Sequence, residues 1–133
     1  MTRLLVADDD RQIRAILKLS LEAAGYEVET VADGAGAVRA HEERPADLLI
    51  TDLFMPERDG LETVEYFRAR HPSMPIIAIS GWKPGQRADY LEVARVAGAD
   101  AVLRKPFTID ELLAQVQDVA SARISMQQVP RAG

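Results

Sequence analysis

The chain has no cysteine among its 133 residues. Disulfides, thiolate metal sites and cysteine nucleophiles are therefore excluded. It has no surplus of basic charge either: 16 Lys and Arg stand against 21 Asp and Glu, a formal net charge of −5. That balance argues against a nucleic-acid surface on this domain. No apolar run approaches the roughly 20 residues needed to cross a bilayer. The opening Met-Thr-Arg-Leu-Leu-Val-Ala-Asp lacks the length and cleavage pattern of a signal peptide. A cytoplasmic protein without membrane contact is the expectation. Internal repeats and low-complexity blocks are also lacking. A chain of this length suits one domain around one core.

Against those absences one stretch stands out, Ala46 to Gly60, reading Ala-Asp-Leu-Leu-Ile-Thr-Asp-Leu-Phe-Met-Pro-Glu-Arg-Asp-Gly. Leu48, Leu49 and Ile50 form a short apolar run without polar alternation, the pattern of a strand covered on both faces. Pro56 and Gly60 then punctuate a loop, so Asp52 falls where a buried strand opens at its carboxyl end. Similar runs occur at Leu4–Ala7, Ile76–Ile79 and Ala101–Leu103, and Val28–Val31 reads as a short second strand.

Helical patterns separate them. Ile13, Leu17, Leu21 and Ala24 recur at helical spacing, with Asp10 as N-cap and Gly25 as terminator. Ala35–Glu43 is a short Ala-rich helix. Asp59 caps a third, whose apolar positions include Leu61, Val64, Phe67 and Ala69. A fourth covers Ala88–Ala97, and Thr108 caps a last one carrying Leu112, Leu113, Val116 and Val119. Five strand–helix alternations predict parallel pairing with right-handed crossovers. The predicted fold is α/β: a three-layer, doubly wound five-stranded parallel sheet in the order 2-1-3-4-5, with the first and third strands at the switch point. Residues 1–122 form this domain, and 123–133 read as a polar tail that frays.

The strand ends carry the chemistry. The first strand ends in Asp8 and Asp9, the third in Asp52, the fourth in Ser80, and the fifth leads to Lys105. Parallel strands bring these ends to one edge, where open α/β sheets bind ligands. Three neighbouring carboxylates repel unless a cation intervenes. Lys105 supplies one charge, and an all-oxygen donor set favours magnesium for the remainder. A carboxylate can be the nucleophile of phosphoryl transfer, and Asp52, alone on its strand, fits that role. Asp8 and Asp9 would hold the metal, one of them through water. Lys105 would pair with phosphate and Ser80 would hydrogen-bond it.

At this point the chain resembles a response-regulator receiver domain of two-component signalling, over about residues 3 to 120. The resemblance rests on Leu-Leu-Val-Ala-Asp-Asp-Asp near the start, on the Asp52 strand and loop, on Ile-Ile-Ala-Ile-Ser-Gly, and on Ala-Gly-Ala-Asp-Ala-Val-Leu-Arg-Lys-Pro-Phe. It implies a flavodoxin-like receiver fold and phosphorylation of Asp52 by a histidine kinase or histidine phosphotransfer protein. It implies Mg²⁺ on Asp9, Asp52 and the backbone carbonyl of Phe54, with Asp8 contributing through water, and a cis bond at Lys105-Pro106. It also implies a signalling phosphoacceptor that catalyses only its own phosphorylation and dephosphorylation, not a metabolic enzyme. Two departures stand out. Val102 sits three positions before the lysine, where the family commonly has an aromatic switch residue. Phe54 and Trp82 are bulky at positions that are often polar or small.

A stand-alone receiver is the expected form, with output by protein–protein contact. The Ala88–Ala97 helix carries apolar residues on more than one face, which suggests an effector or homodimer contact shared with the final strand and helix. The alternatives are a phosphorylation-independent adaptor and a fragment of a longer regulator with an output domain. An aspartyl phosphatase would want a second Asp where Phe54 stands. A flavin protein would want Ser, Thr and Gly where Asp8, Asp9 and Asp10 stand. Thr51 reads as structural, and His41 and His71, distant in sequence, are assigned no role.

Overall fold

Successive side chains of a strand point to opposite faces, so an unbroken apolar run feeds two cores at once. In β1 (Arg3–Ala7), Leu4 and Val6 join one core while Leu5 and Ala7 join the other. In β3 (Leu48–Asp52), Leu48 and Ile50 face one side and Leu49 the other. The computed structural model describes residues 2–53, 60–81 and 90–128. Within them β1, β2 (Glu27–Val31), β3, β4 (Ile76–Gly81) and β5 (Ala101–Lys105) form one parallel sheet in the order β2-β1-β3-β4-β5. That is the predicted order.

One face carries α1 (Arg11–Ala23) and α5 (Ile109–Gln128), packed through Leu17, Leu21, Leu112 and Val116. The other carries α2 (Gly34–Glu43), α3 (Gly60–Arg70) and α4 (Tyr90–Ala97), packed through Ala37, Ala40, Val64, Phe67 and Ala94. Asp10 caps α1 by accepting from the N–H groups of Gln12 and Ile13. Gly25 ends it: its N–H donates to the Glu22 carbonyl and that of Tyr26 to Leu21, with φ +100° at the glycine. This is the left-handed terminator that glycine adopts most readily. Thr108 caps α5 as expected, accepting from the Glu111 N–H at 3.1 Å.

Several expectations shift. Ala24 and Ala69 are exposed: Ala24 is the C-cap beyond α1, and Ala69 lies two residues from the buried Phe67, on the outer face of α3. Helix α5 continues to Gln128, into the stretch read from composition as a tail. Strand β2 starts one residue earlier, at Glu27. Asp59, and the residues expected to begin α4 before Tyr90, lie outside the described residues. Ile16 and Leu19 of α1 stand 56% and 71% exposed, an apolar surplus that the sequence pattern concealed.

His41 and His71, distant in sequence, meet at the C-terminal ends of α2 and α3. Their ring centroids are 4.4 Å apart and edge-to-face, with Phe67 5.4 Å from His41. His41 Nδ1 accepts the Ala46 N–H at 3.0 Å, so that nitrogen carries no proton. Burial, then the charges of His71 and Arg3, push the His41 imidazole below its ordinary 6.5. In the unfolded chain His41 takes its proton first, so stability present at neutral pH is lost as pH falls from 6.5 through the lower folded value. An Asn side chain offers an acceptor without a titrating proton. The melting temperature of wild type should therefore drop more steeply on acidification than that of His41→Asn. Parallel curves would remove His41 from the acid sensitivity.

Candidate functional site

Parallel register levels the strand ends. Ala7 lies opposite Thr51, Asp52 opposite Ile79, and Gly81 opposite Lys105. Asp8 follows β1 and remains tied to β2, its N–H donating to the Val31 carbonyl at 3.1 Å. Its Oδ1 accepts the Asp10 N–H at 2.8 Å. Asp52 ends β3, and the Leu53 N–H after it donates to the Ile79 carbonyl at 2.9 Å. Thr51, fully buried, donates its hydroxyl to the Asp52 carbonyl at 3.0 Å, which gives that residue the structural role expected of it.

Lys105 reaches back across the sheet edge. Its Nζ donates to Asp52 Oδ2 at 2.8 Å and lies 3.4 Å from Asp8 Oδ2. The peptide bond from Lys105 to Pro106 is cis. Ser80, 4% exposed, is the next-to-last residue of β4, and its hydroxyl donates to the Gly81 carbonyl at 3.2 Å. Phe54 and Trp82 lie outside the described residues. Gly60, read from sequence only as loop punctuation, lies against the backbone at the end of the Asp52 strand. Its N–H donates to the Leu53 carbonyl at 3.1 Å, which seats the start of α3 against the end of β3.

One carboxylate oxygen from each of Asp8, Asp9 and Asp52 lies within 4.8 Å of the others. Asp8 and Asp52 are buried and Asp9 is exposed. Two like charges about 4 Å apart repel by about 4 kcal/mol at the effective dielectric of a protein surface. One shared ammonium does not offset three such carboxylates. The strain registers in Asp8, whose carboxyl is pushed above 3.8 by burial and then by the charge of Asp52 and a hydrogen bond with it, against the Asp10 N–H and Lys105. Burial alone would depress the Lys105 ammonium, but Asp52 and then Asp8 raise it on balance. The edge sets three carboxylates against the one Lys105 ammonium, and the three acidic groups offer oxygen donors only. That fits a hard divalent cation such as magnesium.

A doubly wound parallel sheet in the order 2-1-3-4-5, with an acidic pair, a strand-end aspartate and a converging lysine at one edge, is the architecture of receiver folds. Residues 4–117 match the response regulator receiver domain, and the chain belongs to that family. It is 38% identical over 119 residues to the transcriptional regulatory protein KdpE of Mycobacterium tuberculosis, covering 88% of this chain and 50% of that protein. It is also 38% identical over 116 residues to the response regulator MprA of Mycobacterium ulcerans, covering 86% and 48%. The chain thus spans about half the length of the curated relatives it matches. Among solved structures, a receiver domain protein from Clostridium thermocellum superposes with a TM-score of 0.86 at 27% identity, covering 95% of this chain and 99% of that one. The chemotaxis response regulator CheY4 of Vibrio cholerae gives 0.79 at 32% identity, covering 90% and 98%. Receiver domains of this family generally bind Mg²⁺ and interact with histidine kinases. Among the described residues no helix is long and apolar enough to cross a membrane.

Proposed function

We propose that Asp52 accepts a phosphoryl group from a phosphohistidine of a histidine kinase or phosphotransfer protein, and that the modified domain switches protein–protein contacts in the cytoplasm. The observation that carries this reading is the Lys105 ammonium, 2.8 Å from Asp52 and 3.4 Å from Asp8, at an edge crowded with carboxylates. A lone pair of the Asp52 carboxylate forms the new O–P bond as the N–P bond of the donor breaks. The electron pair of that bond returns to the imidazole, which leaves neutral when its second nitrogen carries a proton. Lys105 pairs with a phosphoryl oxygen. Ser80 gives up its bond to Gly81 and donates to another. Magnesium held by Asp8, Asp9, Asp52 and the Phe54 carbonyl would supply neutralising charge to the phosphoryl oxygens.

The domain is on this reading a signalling phosphoacceptor, not a metabolic enzyme. Phosphorylation adds close to two negative charges and shifts a pre-existing equilibrium only as far as the phosphate favours one arrangement. Val102 already packs against the α2–α3–α4 core, so switching proceeds through Ser80 and aliphatic repacking without an aromatic swing. Output passes through the α4–β5–α5 face, where Val93 and Val96 stand 44% and 82% exposed. The length of the relatives favours a second form of the same reading, a receiver joined to an output domain. The test is intact mass after incubation with acetyl phosphate. A magnesium-dependent gain of one phosphoryl group is expected. No gain from acetyl phosphate or from a phosphorylated kinase would leave the adaptor reading in its place.

A further inference from the structure

Asp8 is 2% exposed, so its backbone carbonyl needs a partner within the protein. Arg14 provides one: its Nη1 donates to the Asp8 carbonyl at 2.8 Å. The side chain of a helical residue leans toward the helix N-terminus, and from the first turns of α1 that direction leads back over the acidic loop. Asp8 is thereby held at three points. Its N–H is bound to Val31, its carboxylate Oδ1 to the Asp10 N–H, and its carbonyl to Arg14.

The third point has a separate consequence. The Asp8 carbonyl belongs to the planar peptide unit that leads into Asp9. Fixing its direction fixes where the Asp9 Cα departs. Asp9 is the exposed member of the carboxylate cluster, so its place within 4.8 Å of Asp8 and Asp52 depends chiefly on the backbone that carries it.

We infer that Arg14 is a positioning residue of the cation site, orienting the Asp8–Asp9 peptide so that the Asp9 carboxylate stands with Asp8 and Asp52. This rests on the magnesium-dependent receiver reading. Arg14 acts against its own charge, because a guanidinium beside the site repels a cation. Positioning and charge therefore predict opposite signs when the guanidinium is removed, and that makes the role measurable without any phosphorylation assay.

The experiment is calorimetric titration of Mg²⁺ into the wild-type chain, Arg14→Met and Arg14→Lys. Met keeps an apolar stem and a good helix propensity, and Arg14 is half-buried on a helix surface, so the variant should fold. Lys keeps a donor that reaches a carbonyl. Arg14→Met should bind Mg²⁺ on the order of tenfold more weakly, as loss of an orienting partner does in other metal sites. Arg14→Lys should recover most of the affinity. Amide exchange at Asp9 and Asp10 should quicken in Arg14→Met and not in Arg14→Lys. Unchanged or tighter binding by Arg14→Met, or equal weakening in both variants, overturns the inference. A wild-type chain that binds no Mg²⁺ overturns the cation-site reading itself.

Discussion

Asp52→Asn should take up no phosphoryl group from acetyl phosphate or from a phosphorylated kinase, at any Mg²⁺ concentration, while remaining folded. The amide is nearly isosteric with the carboxylate and its oxygen still accepts a hydrogen bond from Lys105, but its oxygen is not a competent nucleophile. Asp52 is 5% exposed, so a larger replacement would test packing as well as chemistry. Stability should change little because two effects oppose. The charge pair with Lys105 is lost, and the repulsion of Asp52 on Asp8 is relieved. The net change should stay within about 1–2 kcal/mol. Its pH dependence has a definite sign. A carboxyl raised above 3.8 in the folded state lowers stability as pH rises from 3.8 through the folded value. Removing the Asp52 charge shrinks that penalty, so Asp52→Asn should gain on wild type as pH climbs through that range. Magnesium affinity should fall by about tenfold or more, since one of three charged ligands is gone. Phosphoryl incorporation into folded Asp52→Asn would place the acceptor elsewhere.

Gly60→Ala should be the most damaging single methyl group near the site. A Cβ at Gly60 would overlap the Asp52 carbonyl oxygen and the Leu53 Cα, and would stand 2.9 Å from the Asp52 carbonyl carbon. All three are backbone atoms of β3 and its exit, which cannot swing aside as a side-chain tip can. Either α3 lifts from β3, breaking the Gly60 N–H bond to the Leu53 carbonyl, or the end of β3 moves and takes Asp52 with it. Overpacking of this kind typically costs about 1–3 kcal/mol, and rigid backbone on both sides puts the cost at the upper end. For a domain of this size that lowers the melting temperature by roughly 10 °C. Phosphorylation should slow as well, because Asp52 and Lys105 are no longer held at their present separation. A melting temperature within a degree or two of wild type would show that α3 yields freely and that the close approach has no such consequence.

The order of the elements was legible without coordinates. Runs such as Leu48–Ile50 and Ile76–Ile79 lack polar alternation, which is a local property of a strand covered on both sides. Asp10, Thr108 and Gly25 mark helix ends through bonds to residues at most five positions away. The candidate site was legible for a related reason. In a parallel sheet all carboxyl ends share one edge, so Asp8, Asp9, Asp52 and Lys105 converge once the strands are assigned, and Ser80 falls near the end of β4 on the same edge.

What the sequence could not show depends on contacts between distant elements. Arg14 reads as one more charge on an amphipathic helix, because its contact with the Asp8 carbonyl six residues back depends on the path of the turn between β1 and α1, which periodicity does not give. His41 and His71 carry no signal of spacing, because their meeting depends on α2 and α3 lying side by side. Ile16 and Leu19 belong to an apolar pattern whose outer boundary only the packed helix defines. Gly60 is loop punctuation until α3 is seen against β3. The sequence by itself determined which residues end the strands and what chemistry they share, since strand polarity and periodicity are local. The tertiary structure decided the separations among them, and with those the sharing of Lys105 between Asp52 and Asp8, because distances across a sheet edge follow from how whole layers pack.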